Sequence, residues 1–115
     1  MDIDLLFAVI KQSEWRKISQ EENLKPASFE QDGAVHAFTG EYAEDIINHY
    51  FDGTENLLLI VLDPLRIQSP IKRVKQDGFD FIAIQGQVKM DAIIDKIKLN
   101  ADKKGAFSLN VKHFD

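Results

Sequence analysis

The chain contains no cysteine, which excludes a disulfide framework, a thiol nucleophile and any metal held by thiolates. Its three histidines, His36, His49 and His113, are too scattered for a metal motif, and neither H-x-x-x-H nor H-E-x-x-H occurs. Long hydrophobic runs are missing as well. None exceeds the six residues of Leu57 to Leu62, against the roughly 18 needed to cross a bilayer. Met1-Asp2-Ile3-Asp4 lacks the basic start of a secretory leader, so the expected location is the cytoplasm. Internal repeats and low-complexity segments are absent. Positive charge is in deficit: 14 Lys and Arg against 19 Asp and Glu leave a net charge of −5, with a pI near 5.1. General nucleic-acid binding needs the opposite sign; only Lys72, Arg73 and Lys75 form a small basic patch.

What is present suits a soluble globular protein: 44% apolar and 29% charged residues. A chain of 115 residues can hide roughly 65% of its unfolded surface. One domain over 1–115 is expected, with no need of a metal or a disulfide to fold.

Leu5 to Ile10 is an apolar run, suited to a strand buried on both faces. Ser13 reads as the N-cap of a short helix over about Glu14 to Gln20, with Trp15 and Ile18 on one side. The stretch Glu21 to Gly33 is polar, and Ala34 to Phe38 is the second strand. Thr39 is the expected cap of a helix from Gly40 to Phe51, where Ala43, Ile46, Ile47, Tyr50 and Phe51 form an apolar stripe. Asn56 to Leu62 is a central strand closed by Asp63-Pro64. Ile71 to Lys75 and Phe79 to Gln85 flank Gln76-Asp77-Gly78 as a hairpin. Ile93 to Leu99 fits a strand with one wet face, and Phe107, Leu109 and Val111 alternate as a last strand. The fold class is α+β, with a mainly antiparallel sheet and two main helices.

His36 is the leading candidate for a functional side chain, since an imidazole on an apolar strand can donate to or stack on a polar ligand. If strand and helix meet closely, His36 and the helix start at Thr39 converge on a spot suited to an anion. The plainer reading is a strand histidine bonded to backbone and a threonine that only caps. Lys72 and Arg73 are candidate phosphate partners, and Ser28 a further ligand contact. Trp15, with Phe29 and Phe38, is a candidate aromatic slot, or plain core. His49 reads as solvated surface. Gly-x-Ser-x-Gly, a Gly-rich phosphate loop and a glycosidase-like carboxylate pair are all absent.

From Leu6 to about Leu99 the chain resembles the family catalogued as domain of unknown function 952. The likeness rests on motifs in the right order. They are a strand leading to Trp15, Gly33-Ala34-Val35-His36-Ala37-Phe38-Thr39, Phe51-Asp52-Gly53, Leu57 to Pro64, and Gln85-Gly86-Gln87-Val88-Lys89-Met90-Asp91-Ala92. The resemblance implies a fold similar to ADP-ribosyltransferases, whose split antiparallel sheet holds NAD or a related nucleotide in its cleft. The chain departs from the family pattern at Ile71-Lys72-Arg73-Val74, which lacks the family's acid, and at Ala83-Ile84-Gln85-Gly86, which lacks its histidine and tyrosine. The expected role is therefore binding of a nucleotide or another phosphorylated small molecule near His36, with catalysis left open. The competing role is a protein–protein module that uses the acidic surface and the Phe107–Val111 strand, which a homodimer would also suit.

Overall fold

The computed structural model describes residues 5–21, 24, 34–51 and 56–100. Strand β1 (Leu6–Lys11) runs directly into helix α1 (Gln12–Ile18). The helix starts two residues before the expected Glu14, so Ser13 lies inside it and is not its cap. The reason is tertiary. The Gln12 backbone N–H donates to the Asn56 carbonyl at 3.0 Å, and its side-chain amide donates to the Leu57 carbonyl at 2.9 Å. The neighbouring strand thus engages the start of the helix without a side-chain cap.

Strand β2 (Val35–Thr39) is followed by a tight 3-10 turn, Gly40–Tyr42, and then by helix α2 (Ala43–Tyr50). Thr39 makes no side-chain capping bond, contrary to the sequence expectation. It is still a strand residue, paired with Leu6 of β1, so its side chain belongs to the sheet. Strand β3 (Leu57–Leu62) ends at Asp63, whose carboxylate accepts from the Leu65 backbone N–H at 3.0 Å and caps a 3-10 turn opened by Pro64. Strands β4 (Ile71–Gln76) and β5 (Phe79–Ile84) form the expected hairpin. Its two turn residues, Asp77 (φ 54°) and Gly78 (φ 84°), both lie in the left-handed region, as a primed two-residue turn requires. With strand β6 (Ile93–Leu99), the described residues form a six-stranded sheet of order β4-β5-β2-β1-β3-β6, with every neighbouring pair antiparallel. Among the described residues, the α+β class with two helices agrees with the sequence reading. The expected strand over Phe107–Val111 lies outside the described residues. Among those described, no helix is long and apolar enough to cross a membrane.

Every residue of β3 is buried, and β1 is nearly so. Alternation divides them between two cores. Leu58, Ile60 and Leu62 join Leu6, Ala8 and Ile10 on the face covered by α1, where Ile18 and Trp15 pack. Leu57, Leu59 and Val61 join Phe7 and Phe38 on the face covered by Ala43, Ile46 and Ile47 of α2. A strand with one wet face would tolerate truncation at every second position, whereas a strand covered twice tolerates it at none. Leu59→Ala and Ile60→Ala, neighbours on opposite faces, are therefore each expected to lose about 2–5 kcal/mol in urea unfolding. A cost near zero at either position would contradict two-sided burial.

Candidate functional site

The sheet parts between β1 and β2. These strands pair only at Leu6–Thr39 and Phe7–Phe38, whereas β1 and β3 stay in register from Leu6–Leu62 to Lys11–Leu57. Continued register would set Val9 opposite His36. Instead both line a cavity of about 240 Å³ beneath α2. Val9, His36, Phe38 and Phe81 form its sheet side, and Ile46, Tyr50 and Phe51 its helix side, with Gln76 at one end. Drug-sized ligands occupy pockets of roughly 300 Å³ or more, so this cavity suits a single ring system and not a whole dinucleotide.

The rings form one connected set. Phe81 meets Phe38 edge-on at 6.4 Å, Tyr50 at 5.8 Å and His36 at 6.3 Å between centroids. Such tilted arrangements set positive ring edges against negative faces. Tyr50 ends α2 and crosses to the hairpin, where its hydroxyl donates to the Asp77 carboxylate at 2.7 Å. His49 is half-exposed, as a surface residue would be, but it is not idle. Its ring lies edge-on to Tyr50 at 4.7 Å and 5.1 Å from Phe79, with Nε2 3.9 Å from Asp77 Oδ2. Packing against these rings withdraws water from the Tyr50 phenol. The Asp77 carboxylate then takes the phenol's hydrogen bond and repels the phenolate, so the pKa is pushed up from 10.0 to about 12.

The structure separates the residues proposed from sequence. His36, Ala83 and Lys72 are paired across β2, β5 and β4, which puts Lys72 on the same face as His36, two strand spacings or roughly 10 Å away. Arg73 pairs with Ile82 and so faces the other way. Thr39, three residues beyond His36 in an extended strand, also falls on the opposite face, so the imidazole and the threonine do not converge. Trp15 packs on that second face beneath the Lys96 ammonium, 4.8 Å from the ring centroid. The slot imagined from Trp15 and Phe38 is therefore not formed, and Ser28 and Phe29 lie outside the described residues. Sequence reasoning missed Val9, Gln76, Tyr50 and Phe81 as cleft residues. The available signal was Tyr50, an amphipathic ring ending an apolar stripe, and the alternation Phe79-Asp80-Phe81. Among the described residues, no group of His, Asp and Glu is placed to hold a metal ion.

The family described as Protein of unknown function (DUF952) matches residues 9–96. The chain belongs to that family. The matched stretch contains every residue that lines the cleft. The fold is also that of protein CC0527 from Caulobacter crescentus. Its crystal structure superposes with a TM-score of 0.80 at 20% identity, covering 91% of this chain and 94% of that one. The crystal structure of a double methionine variant of the same protein gives 0.79 at 20% identity with the same coverage. The solution structure gives 0.73 at 21% identity, covering 96% and 97%. No curated protein matches the chain.

In this DUF952 member the raised Tyr50 pKa ties stability to pH. A folded-state pKa above the unfolded value means that the neutral phenol favours the fold. This contribution is complete below about pH 10 and is lost as pH rises through about 12. In a Tyr42→Phe background, which leaves Tyr50 as the only tyrosine, ultraviolet titration should give a phenolate midpoint near 12. Asp77→Asn should move that midpoint down toward 10. A wild-type midpoint already at 10 would refute the Tyr50–Asp77 bond as drawn.

Proposed function

We propose that this DUF952 protein binds a small phosphorylated molecule bearing one planar ring, with nucleotides the foremost class. The observation that carries the reading is the cleft opened where β1 and β2 part, with His36 in its wall. Apolar and aromatic side chains supply most of its lining, which suits a flat ring. His36 and Gln76 supply the groups that orient it. Lys72, exposed on the same face, lies within reach of a phosphate extending from the cleft.

A sheet parted between two central strands supports kinship with the ADP-ribosyltransferase-like folds, and NAD or a fragment of it belongs among the ligands to test. Transfer chemistry through an oxocarbenium ion calls for a carboxylate beside the reacting carbon. Among the described residues none lines the cleft, so binding without efficient turnover is the favoured activity. The acidic-surface module based on Phe107–Val111 has no comparable support, because that segment lies outside the described residues.

Thermal-shift measurements with NAD, ADP-ribose and nucleoside monophosphates test the reading. A ligand present at about 100 times its dissociation constant stabilises by about 2.7 kcal/mol, a rise of about 5 °C for a chain of this size. The rise should vanish in His36→Ala, shrink in Lys72→Ala and persist in Arg73→Ala, whose side chain is on the far face. Absence of any rise at millimolar ligand, or a rise indifferent to His36, would overturn the proposal.

A further inference from the structure

Among the described residues, the outermost strand of one half of the sheet, β4, is short, exposed and basic in a protein whose net charge is −5. It carries Lys72, Arg73 and Lys75 within six residues. Among the described residues neither Lys72 nor Arg73 has an ion-pair partner, and Lys75 has only a long, exposed contact to Asp80 at 3.9 Å. Basic side chains on an edge strand can serve merely to prevent sheet-to-sheet aggregation. The geometry of this edge says more than that.

The phase of its hydrogen bonding is fixed at both ends. At one end the Gln85 N–H donates to the Pro70 carbonyl at 2.8 Å. At the other, the two-residue turn joins Gln76 to Phe79. In an antiparallel ladder bonded pairs alternate, so Lys72, Val74 and Gln76 direct their backbone groups inward to β5. The backbone N–H and C=O groups of Ile71, Arg73 and Lys75 then point out from the open edge. By strand alternation their side chains share one face. Ile71, 57% exposed, thus stands in a row with two cations.

We propose that this edge is a docking site for an extended, acidic segment of a partner protein, added as a further antiparallel strand. The outward backbone groups supply the ladder. Acidic side chains at alternate positions meet Arg73 and Lys75, and an apolar one meets Ile71. A second copy of the chain is a poor occupant: antiparallel pairing of β4 with itself sets Arg73 against Arg73. Strand β6, at the other end of the sheet among the described residues, is basic too, with Lys96 and Lys98 against Asp95. An acidic partner satisfies the charge where self-association does not.

Fluorescence anisotropy on the full chain tests this with three probes. These are an octapeptide alternating glutamate with valine and threonine, its lysine counterpart, and a single-stranded octanucleotide. The acidic peptide should bind, and should weaken severalfold as salt rises from about 50 to about 300 mM. Affinity should fall by about tenfold or more in Arg73→Glu/Lys75→Glu. The lysine peptide should not bind. Amide hydrogen exchange supplies the structural readout: the Arg73 and Lys75 amides should become protected with peptide bound. Binding that leaves those amides unprotected, binding indifferent to the double reversal, tighter binding of the octanucleotide, or no binding of the acidic peptide at millimolar concentration would each overturn the proposal. The two peptides and the double reversal leave His36 untouched, and the octanucleotide is measured on His36→Ala as well, so that its binding at the cleft is told apart from binding at this edge.

Discussion

Burial of β3 on both faces is the constraint on which the rest of the structure depends. A strand reading Leu-Leu-Leu-Ile-Val-Leu has no polar face to offer water, so a layer must cover each side. Helix α1 covers one side and α2 the other, and β1, paired with β3 along its length, is drawn into the same sandwich. Strand β2 is not held in this way. It follows β1 for only two residue pairs before turning its allegiance to β5. The cleft is the consequence of that change of partner.

The same change leaves the β2-β5-β4 half of the sheet joined to the β1-β3-β6 half by a narrow seam. Helix α2 bridges it. Ile46 and Ile47 share a core with Phe7 and Val61, while Tyr50 reaches Phe81, Phe79 and the Asp77 carboxylate at the hairpin turn. Asp77 can accept that bond because the turn places it in a left-handed conformation that Asp tolerates better than most residues. Turn chemistry at Asp77-Gly78 therefore shapes the cleft from a distance, by holding the end of its helical wall.

Much of the fold was legible in the chain. The apolar block at 57–62, the stripe Ala43-Ile46-Ile47 and the Asp77-Gly78 turn each have a local cause, and each appears where the pattern puts it. The helix starts were less legible, because they depend on partners distant in sequence. Gln12 is met by the chain at Asn56, and Thr39 is paired with Leu6 instead of capping. Of the residues singled out from sequence, His36 and Phe38 line the candidate cleft, and Lys72 shares their face by register without lining the cavity. The pairing of Thr39 with His36 failed on strand parity: three residues along an extended chain reverse a side chain's direction. Tyr50, Phe81 and Val9 could not be assembled without knowing that the hairpin packs beneath the helix. His49 is at the surface as its sequence context suggests, and only its ring contacts with Tyr50 and Phe79 required the fold to be seen.

Whether the parted strands form a ligand site is tested most directly by a methyl- and indole-resolved NMR titration with ADP-ribose. The account predicts that Val9 and Ile46 methyl signals shift together with saturable dependence on ligand. The Trp15 indole signal, on the opposite face, should stay in place. Shifts at Trp15 without shifts at Val9 would move the site to the other side of the sheet and contradict the account.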